Sequence, residues 1–152
     1  MNKRKFIKIF TAIFIVLIFC VSAQAQFQKR LTPLGNLAAG IQERADNLVY
    51  ISEEDWDVNI FVIGRNISVL DAETFRSANP KILFEPVEDF DVNTFFARLE
   101  KRDEAWTRLR SYLEANLTSL KVFKVGNIRR DIYAVGLFQG HIVGIRTFAV
   151  ET

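Results

Sequence analysis

The residues with the clearest capacity for chemistry stand at the end of the chain. The run "HIVGIRTFAVET" alternates like a β-strand and finishes on Glu151 and Thr152. The ends of most domains fray unless something ties them down. A strand that runs this far would hold a glutamate, a threonine and a terminal carboxylate in place, and we expect this end to be functional. A second concentration of carboxylates is the compact acidic loop Ser52-Glu53-Glu54-Asp55.

The usual signatures of catalysis are absent from the sequence. His141 is the one histidine; it follows a hairpin turn, and no serine or cysteine is positioned to serve it as a nucleophile. No glycine-rich phosphate loop, zinc-ligand spacing or EF-hand pattern occurs, so we expect no cofactor and no metal of its own. Paired carboxylates within 53–57 or 85–91 stay open as the acid and base of a hydrolase, because such a pair leaves little trace in sequence. Otherwise the sequence favours a binding protein over an enzyme.

The first 25 residues have the order of a secretory signal peptide. A basic start precedes an apolar run, which ends at the small-x-small sequence Ala23-Gln24-Ala25. We therefore expect a signal peptide over 1–25, a domain over 26–152, and a secreted or periplasmic protein. Removing the four basic residues of 1–25 leaves 16 basic against 18 acidic residues, a net charge of −2. This balance does not favour a direct grip on nucleic acid, which needs clustered Lys and Arg.

The apolar patterns predict a fold that mixes helices and strands. The predicted elements are a helix over 34–48, a strand over 58–63, a short helix capped by Asp71, a strand over 81–90 with Pro86 at an edge or at its end, and strands over 121–127, 129–138 and 141–150. Residues 91–117 predict two helices, or one bent helix, with Asp91 as the cap of the first and a break at 99–103. The last three strands are joined by short turns and predict an antiparallel meander. We expect an α+β fold, an α/β/α sandwich with a mostly antiparallel sheet covered by helices.

Several short motifs carry a resemblance to a known family. The segments "VFKVG" and "DIYAVG", the terminal "VET", the front run "NLVYISEEDWDVNIFVI" and the stretch "FDVNTFFARL" occur in a specific order and spacing. In these motifs the chain resembles the nuclease A inhibitor family, whose members block a sugar-nonspecific, metal-dependent nuclease. The resemblance covers most of 37–152 and implies a three-layer α/β/α sandwich.

The resemblance also implies which residues touch the nuclease. Thr152 corresponds to a C-terminal threonine that reaches the hydrated Mg²⁺ of the enzyme, and Glu53 to a glutamate that pairs with an active-site arginine. Glu151 belongs to the same terminal motif and is given a supporting role. Mg²⁺ prefers oxygen ligands and keeps several waters, while a carboxylate suits bidentate pairing with guanidinium. These two anionic points would stand in for phosphates of the substrate.

The function predicted from the sequence is an exported inhibitor that occludes the active site of a metal-dependent, sugar-nonspecific nuclease. The expected partner is an exported Mg-dependent nuclease, with no direct contact to nucleic acid or, after signal cleavage, to a membrane. The free chain is expected to be a monomer. Two segments depart from the family: 65–80 is shorter and different, and "LEKRDEAW" replaces an acidic, tryptophan-bearing insertion. They leave open the alternative of a non-inhibitory binding module of the cell envelope.

Overall fold

A computed structural model of the chain describes residues 32–64 and 66–150, so the predicted signal peptide over 1–25 lies outside the described residues. The elements, in chain order, are α1 (Pro33–Ala45), β1 (Val49–Ile51), β2 (Asp55–Asp57), β3 (Asn59–Ile63), α2 (Ala72–Ala78), a 3₁₀ turn (Pro80–Ile82), β4 (Val87–Phe90), α3 (Val92–Glu100), α4 (Ala105–Asn116), β5 (Thr118–Val125), β6 (Arg129–Phe138) and β7 (His141–Val150). In this part of the chain, no helix is both long and apolar enough to cross a membrane.

Five strands form one sheet in the order β3-β7-β6-β5-β4. Every neighbouring pair is antiparallel, and the predicted meander of β5, β6 and β7 is confirmed. The longest pairing runs from Arg129 opposite Val150 to Phe138 opposite His141. β1 and β2 pair separately as a short two-stranded sheet. The expected mostly antiparallel sheet is therefore confirmed, with a small hairpin beside it.

One face of the large sheet packs against α1, α3 and α4. Apolar residues recur every three or four positions along these helices, which places them on a single buried stripe. The core residues on this side include Leu37, Ile41, Phe96, Trp106, Leu109 and Leu113 from the helices and Val122, Ile132, Ala134, Val143 and Ile145 from the strands. These helices form the first of the two layers that cover the sheet.

The opposite face packs against α2 and the 3₁₀ turn. Phe75 of α2 stacks on Phe123 at a ring-centroid distance of 4.7 Å and meets Tyr133 edge-on at 5.0 Å. Ile82 of the 3₁₀ turn belongs to the same cluster. Because both faces of the sheet carry helical segments, the predicted three-layer sandwich covered by helices is confirmed.

The helix caps follow the predicted pattern. Asp71 accepts a hydrogen bond from the backbone N–H of Thr74 at 2.7 Å, and Asp91 accepts one from Thr94 at the same distance. A side-chain oxygen at this position satisfies an N–H that has no partner within the helix. α3 ends at Glu100 and α4 begins at Ala105, so the predicted break between two helices is also confirmed.

The strand predicted over 81–90 is wrong in its first half. Pro80 begins a 3₁₀ turn, and β4 starts only at Val87, directly after Pro86. Proline has no N–H to donate and is confined to the ends and edges of strands, which explains why pairing begins beyond it. β4 pairs with β5 alone, as an edge strand. Similarly, α1 ends at Ala45 rather than 48, since Asn47 adopts a left-handed conformation with φ of 67°.

Candidate functional site

The acidic loop predicted over 52–55 is the tip of the β1–β2 hairpin. Ile51 pairs with Asp55, and the backbone N–H of Ser52 donates to the carbonyl of Glu54 at 3.1 Å. Glu53 is therefore exposed at the centre of a tight turn. The sequence located this carboxylate correctly but did not predict the hairpin, because strands of three residues give too short a pattern to recognise.

A hydrogen bond joins this tip to the end of the last strand. The backbone N–H of Val150 donates to Ser52 Oγ at 3.3 Å, and the same hydroxyl donates to the carbonyl of Glu54 at 3.3 Å. Ser52 thus ties the turn that carries Glu53 to the end of β7. Glu151 and Thr152 follow Val150 in sequence and lie outside the described residues, so the structure positions only one of the three predicted contact residues.

Aromatic rings fasten the hairpin to the sheet. Trp56 of β2 packs against Phe148 of β7 with ring centroids 5.5 Å apart. The guanidinium carbon of Arg129 lies 5.1 Å from the Trp56 ring centroid and 5.2 Å from that of Phe148. A cation close to the face of an aromatic ring is attracted by the ring quadrupole. The sequence analysis missed this arrangement, although the alternation in the last strand could have placed Phe148 and Arg146 on one face.

An ion pair lies beside the aromatic rings. Both oxygens of the Asp131 carboxylate accept from Arg146, at 3.1 and 3.0 Å, and the Arg146 guanidinium lies 4.5 Å from the Phe148 ring centroid. Both bonds come from one nitrogen, Nη2 of Arg146, and a charge-assisted bond of this kind is stronger than one between neutral groups. Burial, followed by the charge of Asp131, raises the pKa of the neighbouring Tyr133 phenol. The end of β7 is therefore flanked by residues that are held in defined positions.

Several loops meet at the same end of the sheet. Arg129, the first residue of β6, pairs with Val150, so the β5–β6 turn lies at the end where β7 finishes. The backbone N–H of Gly126 in that turn donates to the carbonyl of Pro86 at 3.1 Å, which brings the loop before β4 to the same place. We call this end, with the hairpin tip, the Val150 end of the sheet.

The segment 99–106, at the junction of α3 and α4, lies beside the hairpin. Arg98 and Arg102, at the end of α3 and just after it, line a cavity of about 20 Å³ together with Tyr50 and Ile51 of β1. Tyr50 also stacks on Phe95 of α3 with ring centroids 6.0 Å apart. The 99–106 segment is consequently a neighbour of the strand that leads to the acidic tip.

Three of the carboxylates considered for a hydrolase, all within 85–91, have structural partners. Glu88 pairs with Arg130 at 2.6 Å and Asp89 with Lys121 at 2.7 Å. Asp91 caps α3, and hydrogen bonds from the hydroxyl and backbone N–H of Thr94 lower the pKa of its carboxyl. These contacts give Glu88, Asp89 and Asp91 roles in holding β4 and α3.

The remaining candidates for chemistry show equally simple contacts. Nδ1 of His141 lies 3.1 Å from the carbonyl of Gln139, which fits a role in the β6–β7 turn. Throughout 32–64 and 66–150, no cluster of three or more His, Cys, Asp or Glu side chains is arranged to hold a metal ion.

The comparisons with known proteins give a family match over most of the chain. Residues 35–152 match the model of a family described as nuclease A inhibitor-like protein. The match includes the acidic tip, all strands of the sheet and the last residues of the chain. Among curated proteins, none matches this chain.

Proposed function

The chain belongs to the nuclease A inhibitor-like family, and we propose that it is an exported inhibitor that binds and occludes the active site of a metal-dependent, sugar-nonspecific nuclease. Export is part of the proposal and rests on the signal-like order of residues 1–25. The partner is an exported nuclease, and the chain itself supplies no catalytic group. It binds as a monomer and makes no direct contact with nucleic acid.

The observation that carries this proposal is the hydrogen bond from the Val150 N–H to Ser52 Oγ. It supports a single contact surface, because it joins the turn bearing Glu53 to the strand that leads into Glu151 and Thr152. Residues 98 positions apart in the chain are thereby brought together. Two anionic points that are separated in sequence need such a link if they are to enter one cleft.

The mechanism follows from what a nuclease cleft must contain. It holds a hard cation and arginines that bind phosphate oxygens. The same cation and arginines can also bind the oxygens of a carboxylate. In the proposal, Glu53 pairs with an arginine, Thr152 offers oxygens to the partner's Mg²⁺ and its waters, and Glu151 supports this contact. Because the hairpin is already held by Trp56 and Ser52, little conformational entropy is lost on docking.

The proposal is tested by following DNA digestion by metal-dependent nucleases in the presence of residues 26–152. We expect inhibition that saturates near one inhibitor per enzyme. Glu53→Gln should weaken inhibition at least about tenfold, because removing one charge of a buried interface pair costs about 2 kcal/mol or more of binding free energy. Glu54→Gln, at the same tip, is the matched control and should change it far less. One residue added after Thr152 should also weaken inhibition.

Undiminished cleavage by every nuclease tried, at a large excess of the chain, would contradict the proposal. The alternative is a non-inhibitory binding module of the cell envelope, and it is favoured by the position of the 99–106 segment beside β1, where a change would alter the contact surface. Affinity purification from the envelope fraction separates the two. A reproducible partner without nuclease activity would support the module.

A further inference from the structure

The loop between the 3₁₀ turn and β4 exposes a phenyl ring almost completely. Phe84 is 95% exposed, and the preceding Leu83 is 45% exposed. Single exposed apolar residues are common on protein surfaces, but contiguous apolar patches mark interaction sites. The significance of Phe84 therefore depends on what lies next to it.

A second exposed apolar residue lies on the adjoining turn. Ile128, between β5 and β6, is 70% exposed. Its turn is joined to the Phe84 loop by the hydrogen bond from the Gly126 N–H to the Pro86 carbonyl at 3.1 Å. The register continues from there, with Val87 opposite Val125. We call Leu83, Phe84 and Ile128 the apolar rim.

The apolar rim and the acidic tip belong to the same end of the sheet. A groove of about 260 Å³ runs from the Phe84 loop to the end of β7, and its lining includes Glu85, Gly126, Arg129 and Phe148. Arg129 and Phe148 are the residues that contact Trp56 below the acidic tip. Glu85 follows Phe84 in the chain and Arg129 follows Ile128, so the groove lies between the loops that carry the apolar rim and the residues that hold the hairpin of Glu53.

The two parts differ in what they contribute to binding. The exposed carboxylates of Glu53, Glu54 and Asp55 give the tip a local negative charge, which complements a cationic, phosphate-receiving cleft. Charges of this kind mainly steer and orient a partner, while buried aromatic and aliphatic anchors supply most of the affinity. The tip itself, 52–55, contains no apolar side chain that could act as such an anchor, and the apolar rim supplies one.

We infer that the apolar rim and the acidic tip form one docking surface, on which a nuclease receives the tip in its cationic cleft and Phe84 in an apolar pocket on the wall beside it. This inference rests on the proposed function and extends it to the part of the surface that sets affinity. Phe84 is the central anchor and Ile128 a flanking one.

The test compares three serine variants of residues 26–152 in the nuclease inhibition assay. Phe84→Ser and Ile128→Ser remove the anchors without disturbing the core, since both side chains are exposed. Val69→Ser is the matched control: Val69 is 59% exposed, and its loop is tied to the other end of the sheet by the Ile67 N–H to Gly140 carbonyl bond. Thermal unfolding of each variant confirms that it is folded.

We expect Phe84→Ser to raise the inhibition constant about tenfold or more, in the range of interface anchors, and Ile128→Ser to raise it less. Val69→Ser should leave it unchanged. The salt dependence of inhibition should persist in Phe84→Ser and weaken in Glu53→Gln, because only the second change removes a charge.

Each other outcome overturns the inference in a recognisable way. If the unmodified chain inhibits and Phe84→Ser inhibits equally well, the docking surface is wrong while the proposed function stands. If the unmodified chain inhibits no nuclease, the proposed function fails and the inference fails with it. If sedimentation shows a dimer that Phe84→Ser dissociates, the apolar rim belongs to an interface between two copies of the chain.

Discussion

At the scale of single residues, Tyr133 shows how the environment at the Val150 end alters an ordinary side chain. The ring is buried against Phe61 and Phe75, and its hydroxyl lies 3.5 Å from the Asp131 carboxylate. Burial and then the Asp131 charge raise the pKa of the phenol, and Arg146 opposes them. The folded state therefore holds the phenolic proton more tightly than the unfolded chain, in which the pKa is near 10.0.

The first stability prediction follows from the sign of this shift. The contribution of Tyr133 is fully present below pH 10 and should be lost as the pH rises from there through the folded pKa. We expect Tyr133→Phe to flatten the fall of the unfolding temperature over this alkaline range, measured from about pH 8 to pH 11.5. Absorbance titration should show the most alkaline tyrosinate step disappearing in the variant. An equally steep fall in Tyr133→Phe would contradict the assigned cause.

Sequence reasoning placed one predicted contact residue in the fold and missed the contacts around it. Glu53 lies in an exposed loop as expected, because an acidic run before a strand is visible in the residues themselves; its role in binding stays a prediction. The role of Ser52 was not predicted, since its bond to Val150 joins positions 98 residues apart and leaves no local signal. The placement of Glu151 and Thr152 stays a prediction.

At the scale of elements, the pairing of β6 with β7 depends on a residue that has no side chain. Gly144 lies opposite Val135 in the register. A Cβ atom at this position would collide with the backbone carbonyl of Ala134 and lie 2.8 Å from Cα of Val135. Backbone atoms in the centre of a sheet cannot move aside as the end of a side chain can.

Gly144→Ala should consequently destabilise the fold by about 3 kcal/mol, at the upper end of what overpacking usually costs. Gly40→Ala is the matched control. There the added Cβ meets the hydroxyl end of the Tyr112 ring, a side chain rather than backbone, and alanine favours the helix over glycine by about 1 kcal/mol, so the loss should be smaller. Urea unfolding of both variants measures the difference. If Gly144→Ala were no less stable than Gly40→Ala, then β6 and β7 would accommodate the added Cβ without cost, and the prediction would be wrong.

The elements were predicted best where they are long and regular. The meander of β5, β6 and β7 and the two caps at Asp71 and Asp91 carry strong local signals, namely alternation, short turns and a capping side chain. The boundaries of β4 and the existence of β1 and β2 did not follow from pattern. Pro86, which has no N–H to donate, determines where β4 begins. Contacts with β7 support the hairpin of β1 and β2.

At the scale of the whole domain, the hairpin and the large sheet are two separate sheets that side-chain contacts hold together. The five-stranded sheet is covered on both faces by helical segments, whereas β1 and β2 add only three paired positions. Ser52 and Trp56 link the hairpin to β7, Arg129 of β6 lies against the Trp56 ring, and Tyr50 stacks on Phe95 of α3. Short elements of this kind open at lower free energy than the core does. Local contacts therefore determine how well the hairpin is ordered, and these contacts can change without a change in the free energy of global unfolding.

The variant Ser52→Ala should distinguish local opening of the hairpin from global unfolding. Loss of one hydrogen bond of about 1 kcal/mol should speed hydrogen exchange of the Val150 amide about fivefold and leave the unfolding temperature nearly unchanged. Ser68→Ala, in an exposed loop, is the control and should leave exchange at Val150 unaltered.

Inhibition by Ser52→Ala should weaken with the faster exchange, because a hairpin tip that is no longer tied to β7 must be ordered when it docks. The loss should be less than that of Glu53→Gln, since the carboxylate that enters the cleft is still present. Unchanged exchange at Val150 together with unchanged inhibition would show that Ser52 does not hold the two parts of the surface together. Faster exchange with full inhibition would show that rigidity at this end is not what the partner requires.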